Sequence, residues 1–239
     1  MKKVEERKLT LIEHLNELRK RLIISLVALF LGMVISFIFW QKEIFSILVA
    51  PLDRLGQELV LLTVTEGFLL QIKIAFFGGL ILASPIILWQ LIAFVLPALY
   101  PKERRIFWSI FLSSVVLFSL GIIFAYHFVL DLALEFLVVE CSIALSPMIS
   151  ASKYFTFVLG FLLPFGIAFE IPIVTYLLTK GGLLNPEKLR HNRRYVIVII
   201  FILAAILTPP DVISQIMLAL PMLVLYEISL FISFLTYKK

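Results

Sequence analysis

The chain has 239 residues, of which 62% are hydrophobic and 15% are charged. Soluble globular domains have about 45–50% apolar and about 25% charged residues, so this composition excludes that class. Because about 20 apolar residues cross the hydrocarbon core of a bilayer, the chain can hold several spans and no large aqueous catalytic domain. The single cysteine, Cys141, excludes an intrachain disulfide and a multi-thiolate metal site. We therefore predict an all-α polytopic membrane protein and expect no cofactor and no metal.

Six apolar runs follow a short amphipathic helix that begins with a capping box at Thr10 and Glu13. This first helix is predicted to lie along the membrane surface before it turns into the first span. The first apolar run is too long for the apolar region of a secretion signal, so we expect it to remain as a helix. The predicted segments are the amphipathic helix 10–21, the spans 22–40, 67–95, 106–130, 154–179, 195–207 and 212–237, the caps 41–66 and 131–153, and the loops 96–105 and 180–194.

Lysine and arginine are unevenly distributed between the predicted connections. The N-terminal segment, the loops 96–105 and 180–194 and the C-terminal tail together carry 17 of the 21 cationic residues. The positive-inside rule predicts that these segments, and therefore both termini, are cytoplasmic. The caps 41–66 and 131–153 are then periplasmic.

The fifth predicted span has only 13 residues, or about 20 Å of helix against about 30 Å of hydrocarbon. The sixth follows a four-residue turn and contains Pro221. Two explanations remain open. Helix 5 extends through Arg193 and Arg194, whose side chains snorkel outward, or short helices 5 and 6 thin the bilayer locally.

Two carboxylates lie at the same depth on the predicted cytoplasmic face, Glu17 in the amphipathic helix and Glu103 in the loop 96–105. Each has a simple structural explanation. Glu17 can pair with Arg21 at i,i+4, and Glu103 can occupy the first turn of a helix, where the helix dipole favours an acid.

Glu170 lies near the middle of the fourth span, where an ionisable residue is a functional candidate. Pro164 and Pro172 flank it, and each removes a helix hydrogen bond, so we predict a polar notch at membrane depth. A structural hydrogen bond to a neighbouring span is the alternative, as it is for Glu227. Further polar residues lie near the outer end of the last span, where Asp211 is interpreted as the N-cap: Thr208, Asp211 and Gln215.

Catalytic motifs are weak. Ser150 and Lys153 have the S-x-x-K spacing, but the partner motifs are missing. The three histidines, His14, His127 and His191, lie in separate segments without metal-binding spacing. We therefore predict that the chain is not an enzyme.

Several segments, in order, resemble the signatures of the TatC family, the multispanning subunits of the twin-arginine protein translocase. They are the N-terminal HLNELRKRL at 14–22, the loop sequence QLIAFVLPALYPKERR at 90–105, FGIAFEIP at 165–172, LTPPDVISQ at 207–215, TEGF at 65–68 with Lys73, and APL at 50–52. The resemblance covers nearly the whole chain. His127 and Asp131 depart from it, since the family more often has an apolar residue and a proline there.

The resemblance implies a concave bundle of six spans, with both termini cytoplasmic, in the cytoplasmic (inner) membrane of a prokaryote. Such a protein binds the twin-arginine signal peptides of folded cargo and recruits single-span subunits of the TatA and TatB type. It also assembles with further copies of itself and supports export driven by the proton-motive force, and no nucleic acid is implied. Glu17 and Glu103 would face the two guanidinium groups, with Arg19, Phe94 and Arg105 shaping the site.

The resemblance also assigns roles inside the membrane and at the outer face. Glu170 would face the membrane from a concave surface and meet a polar group of a partner helix. The other residues implied are Thr208, Asp211, Gln215 and Glu227 in the partner-contact region, and Pro51 and Glu66 in the periplasmic cap. The alternative function is a proton-coupled transporter of small solutes with Glu170 as relay, which predicts a cavity closed between the spans.

Overall fold

The computed structural model describes residues 11–99, 104–140, 148–207 and 212–237. Three π-helical stretches, Ser36–Trp40, Ala125–Leu130 and Glu135–Glu140, continue α-helices, and two short strands lie at one face of the helix layer. The helices are α1 (Leu11–Ile35), α2 (Gln41–Asp53), α3 (Val64–Leu99), α4 (Arg104–Phe124), α5 (Asp131–Leu134), α6 (Ala151–Ala168), α7 (Ile171–Lys180), α8 (Pro186–His191), α9 (Arg193–Leu207) and α10 (Val212–Thr236), and the strands are β1 (Leu59–Val60) and β2 (Ile149–Ser150).

Five helical segments are long and apolar enough to cross a membrane: Leu15–Asp53, Val64–Phe94, Phe107–Val138, Ala151–Lys180 and Val212–Thr236. Large apolar side chains on their outer surfaces are exposed, as expected for contact with lipid; Phe30, Leu112 and Phe231 are 64–65% exposed. The fold is therefore an all-α polytopic membrane protein, as predicted.

Two expectations about individual helices need correction, and a third agrees with the structure. The amphipathic segment and the first span form one uninterrupted helix, α1, so the expected turn near residue 21 is absent from this described part. The last helix, α10, has 25 residues and is not short, because Pro221 is accommodated inside it. Helix α9 is short, with 15 residues and about 22 Å, and it begins at Arg193, as the snorkelling explanation expects.

Helices α1 and α3 pack against each other through glycines. A Cβ atom added at Gly79 would lie 2.5 Å from the backbone nitrogen of Met33, and one added at Gly32 would lie 2.6 Å from the carbonyl oxygen of Gly79. Only residues without a side chain permit such close backbone approach, which is a common way to associate helices in membranes. The buried Ser36 extends the same seam against Gly78.

Helix α6 is the centre of the bundle. Its residues Phe155, Val158, Phe161 and Phe165 are all fully buried, and it packs against α3, α4, α9 and α10. The helix ends at Ala168 and the chain resumes helical structure at Ile171, so the fourth predicted span is two helices with a break at residues 169–170. This break positions the candidate intramembrane residue.

Candidate functional site

The candidate site around Glu17 begins with a half-buried ion pair in α1. Arg21 donates from Nε at 3.1 Å and from Nη2 at 2.5 Å to Oε1 of Glu17, and the two side chains are only 20% and 30% exposed. Its Nη1 atom donates to Oε1 of Gln90 at 3.3 Å. The i,i+4 pair is thus present, but it also joins α1 to α3 and is not an isolated surface contact.

An aromatic cluster fixes the neighbouring ends of α3 and α4. The Trp89 ring makes edge-to-face contacts with Phe107, Trp108 and Phe111, with centroids 4.6, 5.2 and 5.2 Å away. Such contacts add about 0.5–1.5 kcal/mol each beyond the area they bury. Since Gln90 follows Trp89, the start of α4 lies beside the end of α3 that contacts Arg21.

The structure describes the other residues predicted at this site only in part. Arg19 is exposed and Phe94 is half-buried near the end of α3. Arg105 lies in the first turn of α4, but its side chain is outside the described part, and Glu103 lies outside the described residues altogether. Glu17 is therefore brought next to α3, while its distance to Glu103 stays a prediction.

Glu170 occupies the break between α6 and α7. Pro164 lies inside α6 and Pro172 lies in the first turn of α7, so the sequence disfavours a continuous helix here. The Ser114 hydroxyl on α4 donates to Oε2 of Glu170 at 2.5 Å. Oε1 is buried and has no hydrogen-bond partner among the described residues. Glu170 thus makes a structural hydrogen bond to a neighbouring helix, but only one of its two carboxyl oxygens takes part in it.

A groove of about 480 Å³ runs beside this carboxyl group between α3, α4 and the α6–α7 break, and we call it the Glu170 groove. Three of its lining residues, Leu91, Ile167 and Val174, are 49–66% exposed, so the groove opens on the outer surface of the bundle. The hydroxyls of Ser84 and Thr175 in its wall donate to carbonyls of their own helices. Among the polar residues of this wall, Glu170 is therefore the one with a side-chain oxygen that has no hydrogen-bond partner among the described residues.

The polar residues of the last two helices have structural partners where they are described. Glu227 on α10 pairs with Arg193 at 2.6 Å, so it is not an isolated charge within the membrane. Gln215 donates from Nε2 to the carbonyl oxygen of Phe201 at 3.0 Å and ties α10 to α9. Thr208 and Asp211 lie outside the described residues.

In the predicted cap 41–66, the backbone carbonyl freed by Pro51 has a hydrogen-bond partner that sequence reasoning missed. Because proline has no N–H, the carbonyl of Ile47 loses its helical donor. The Tyr126 hydroxyl donates to that carbonyl at 2.6 Å, and the Tyr154 hydroxyl donates to the next carbonyl, that of Leu48, at 2.7 Å. Helix α2 is thereby fixed to the main bundle, and it ends at Asp53, beyond Pro51.

Glu66 lies at the end of the predicted cap 41–66 and is only 6% exposed. Its Oε2 atom accepts from the backbone N–H groups of Leu62 at 2.6 Å and Thr63 at 3.3 Å. Its Oε1 atom accepts from the N–H of Ser152 at 2.9 Å and from the Ser150 hydroxyl. One carboxylate thus joins the first cap to the start of α6, next to the parallel pairing of β1 and β2.

These contacts also explain the S-x-x-K spacing and the departure at Asp131. The Ser150 hydroxyl accepts from the N–H of Lys153 at 3.3 Å, so this serine is the N-cap of α6. Asp131 accepts two hydrogen bonds of 3.2 Å from Arg54, which ties the end of α2 to α5. Among the described residues, no three of His, Cys, Asp and Glu are grouped in a way that could hold a metal ion.

The fold and these sites define a multi-pass helical membrane protein with a half-buried glutamate–arginine pair between α1 and α3 and a second half-buried glutamate, Glu170, beside an open groove. The family model described as Sec-independent protein translocase protein (TatC) matches residues 13–221. Proteins with the same description are 45% identical in Carboxydothermus hydrogenoformans, over 96% of this chain and 95% of the relative, and 40% identical in Escherichia coli, over 93% and 87%.

A solved structure agrees with these relatives. It is a crystal structure described as the twin arginine translocase receptor TatC, 46% identical, with a TM-score of 0.87 over 94% of this chain and 99% of that one. The chain therefore belongs to the TatC family of protein translocases, and the resemblance stated from its motifs is confirmed.

Proposed function

We propose that this protein is a receptor for twin-arginine signal peptides and the core subunit of a Tat translocase that exports folded proteins with the proton-motive force. It lies in the inner membrane of a prokaryote with both termini in the cytoplasm. The charge distribution supports this orientation, because 17 of 21 Lys and Arg residues fall in the segments assigned to that side.

The observation that carries the proposal is the half-buried Glu17 carboxylate at the meeting point of α1 and α3. Among the described residues, its hydrogen bonds to Arg21 use only Oε1. This carboxylate already binds a guanidinium group, so it has the chemistry and the local desolvation that a second one requires. A planar guanidinium can bridge carboxylate oxygens, whereas an ammonium group cannot reproduce that geometry. We assign Glu103 to the second guanidinium group of the signal, and Arg19, Phe94 and Arg105 to the residues that shape the site.

The Glu170 groove is assigned to a helix of a single-span partner subunit of the TatA or TatB type. The groove opens outward, which suits a helix arriving through the lipid better than a small solute enclosed between spans. A polar side chain on the partner would donate to the unsatisfied Oε1 atom. A hydrogen bond to an otherwise unpaired buried oxygen stabilises the complex by about 1–3 kcal/mol, which is enough to favour a partner helix with a polar residue at this depth. Thr208, Asp211 and Gln215 are assigned to a further contact with partner subunits or other copies of the chain.

The experiment is binding of a fluorescent signal peptide to the purified protein in nanodiscs. The wild-type protein should bind a twin-arginine peptide and reject the twin-lysine version. Glu17→Gln and Glu103→Gln should each weaken binding about tenfold, because each removes a charge-assisted hydrogen bond. Glu187→Gln is the matched control, since Glu187 is exposed on α8 and should leave binding unchanged. Equal binding of the twin-lysine peptide would refute the proposed receptor function.

A further inference from the structure

A second groove lies on the other side of the contact between α4 and α7. Its volume is about 300 Å³ and we call it the Tyr176 groove. Along α7, Ile171, Val174 and Thr175 line the Glu170 groove. Three other residues of α7, Pro172, Ile173 and Tyr176, line the Tyr176 groove, so the two grooves are separate. The residues lining the Tyr176 groove are Ser109, Ile110, Ser113 and Leu117 of α4, Pro172, Ile173 and Tyr176 of α7, and Ile232 of α10.

The groove is polar at one end and apolar at the other. Ser109 lies in the second turn of α4 and Tyr176 in the last turns of α7, so both mark the end nearest the basic loops. Leu117 lies about two helical turns further in than Ser109, roughly 12 Å along α4, and Pro172 lies about one turn further in than Tyr176, roughly 6 Å along α7. This gradient follows the depth of the bilayer, from the headgroup level into the hydrocarbon.

Cationic residues mark the polar end. The Lys180 ammonium, at the last residue of α7, lies 5.6 Å from the centre of the Tyr176 ring. Helix α4 begins with Arg104 and Arg105, whose backbone places two further cationic residues in the turn before Ser109. Basic pockets between membrane helices on the positive side are typical sites for anionic lipid headgroups.

The charge and the lining of the groove select among possible occupants. Cationic residues flank its polar end, whereas Leu117, Pro172 and Ile173 make the deeper part of the lining apolar. A phospholipid has the same order of groups with depth, a phosphate followed by an apolar chain. We propose that the Tyr176 groove binds one anionic phospholipid, with an acyl chain along Leu117 and Ile173 and the phosphate beside Lys180.

The test is native mass spectrometry of the purified full-length protein released from detergent after addition of dioleoyl phosphatidylglycerol or dioleoyl phosphatidylcholine. The wild-type protein should retain phosphatidylglycerol in preference to phosphatidylcholine. Lys180→Gln should lower retention of phosphatidylglycerol about fivefold and leave phosphatidylcholine unchanged. Ser113→Phe, which places a ring in the groove, should lower retention of both lipids.

Lys188→Gln is the matched control, because Lys188 is an exposed lysine of α8 outside the groove and should retain lipid like the wild type. Thermal unfolding of each variant checks that the bundle is intact. Equal retention of the two lipids by the wild-type protein, or unchanged phosphatidylglycerol binding in Lys180→Gln or Ser113→Phe, would overturn the proposal. A bound polypeptide mass in place of a lipid mass would assign the groove to a protein segment and would also overturn it.

Discussion

The contact between the predicted caps 41–66 and 131–153 depends on the Glu66 carboxylate, and replacing this glutamate with glutamine tests that dependence with a change of one atom. Each carboxylate oxygen accepts from two donors. If the new NH2 group replaces Oε2, it faces two backbone N–H groups that cannot accept a hydrogen bond. If it replaces Oε1, the Ser150 hydroxyl can rotate to accept, but the N–H of Ser152 loses its acceptor. Glu66→Gln therefore leaves at least one donor unsatisfied in either orientation.

The expected loss of stability follows from these contacts. An orphaned buried donor costs about 1–3 kcal/mol, and the remaining bonds lose their charge assistance. We expect the free energy of unfolding to fall by about 3 kcal/mol. For a chain of this size, that corresponds to a fall of about 6–12 °C in the midpoint of thermal unfolding.

The assay is thermal unfolding in detergent, followed by circular dichroism, together with amide hydrogen exchange. Hydrogen exchange should accelerate at the amides of Leu62 and Thr63 if the glutamine NH2 group takes the place of Oε2. It should accelerate at the amide of Ser152 if the NH2 group takes the place of Oε1. Glu58→Gln removes an exposed acid from the same cap and is the control. A midpoint for Glu66→Gln equal to that of Glu58→Gln would refute the view that this carboxylate joins the two caps.

Two further predictions concern the glycine contact between α1 and α3 and the ion pair of Arg54 with Asp131. Gly79→Ala should lower the free energy of unfolding by about 1–3 kcal/mol, because the new methyl group would collide with the backbone of Met33. The control is Gly67→Ala, whose methyl group would lie 3.6 Å from its nearest neighbour, and equal thermal midpoints of the two variants would contradict the steric reasoning. Asp131→Asn should cost less than about 1 kcal/mol in the same assay, because its pair with Arg54 is 34–56% exposed, and a larger loss would show that the pair is more than a surface contact.

Local patterns in the sequence predicted the membrane class and much of the helical layout. Apolar runs indicate spans because the bilayer requires about 20 such residues whatever the tertiary structure. The break in the helix near Glu170 could also be predicted, since Pro164 and Pro172 disfavour a continuous helix. The short fifth helix followed from counting apolar residues.

These local patterns could not predict the contacts between segments that are distant in the sequence. The sequence indicated the Arg21–Glu17 pair, but the hydrogen bond to Gln90 depends on how α1 packs on α3. Ser114 was missed as the partner of Glu170, because nothing in a serine of an apolar helix shows which helix it faces. The continuity of α1 was also misjudged, since an amphipathic stretch can prolong a membrane helix as readily as it can lie on the surface.

The pairing of β1 with β2 has a consequence for the biosynthesis of the protein. Leu59 and Ile149 are neighbours in register, yet α3 and α4 separate them in the chain. A ribosome delivers β1 first, and β2 follows only after both of these helices have been made. A nascent chain arrested before residue 149 therefore exposes the edge of β1 and leaves Oε1 of Glu66 without its donors. The pairing of β1 with β2 can thus form only after the chain has been made as far as Ser150.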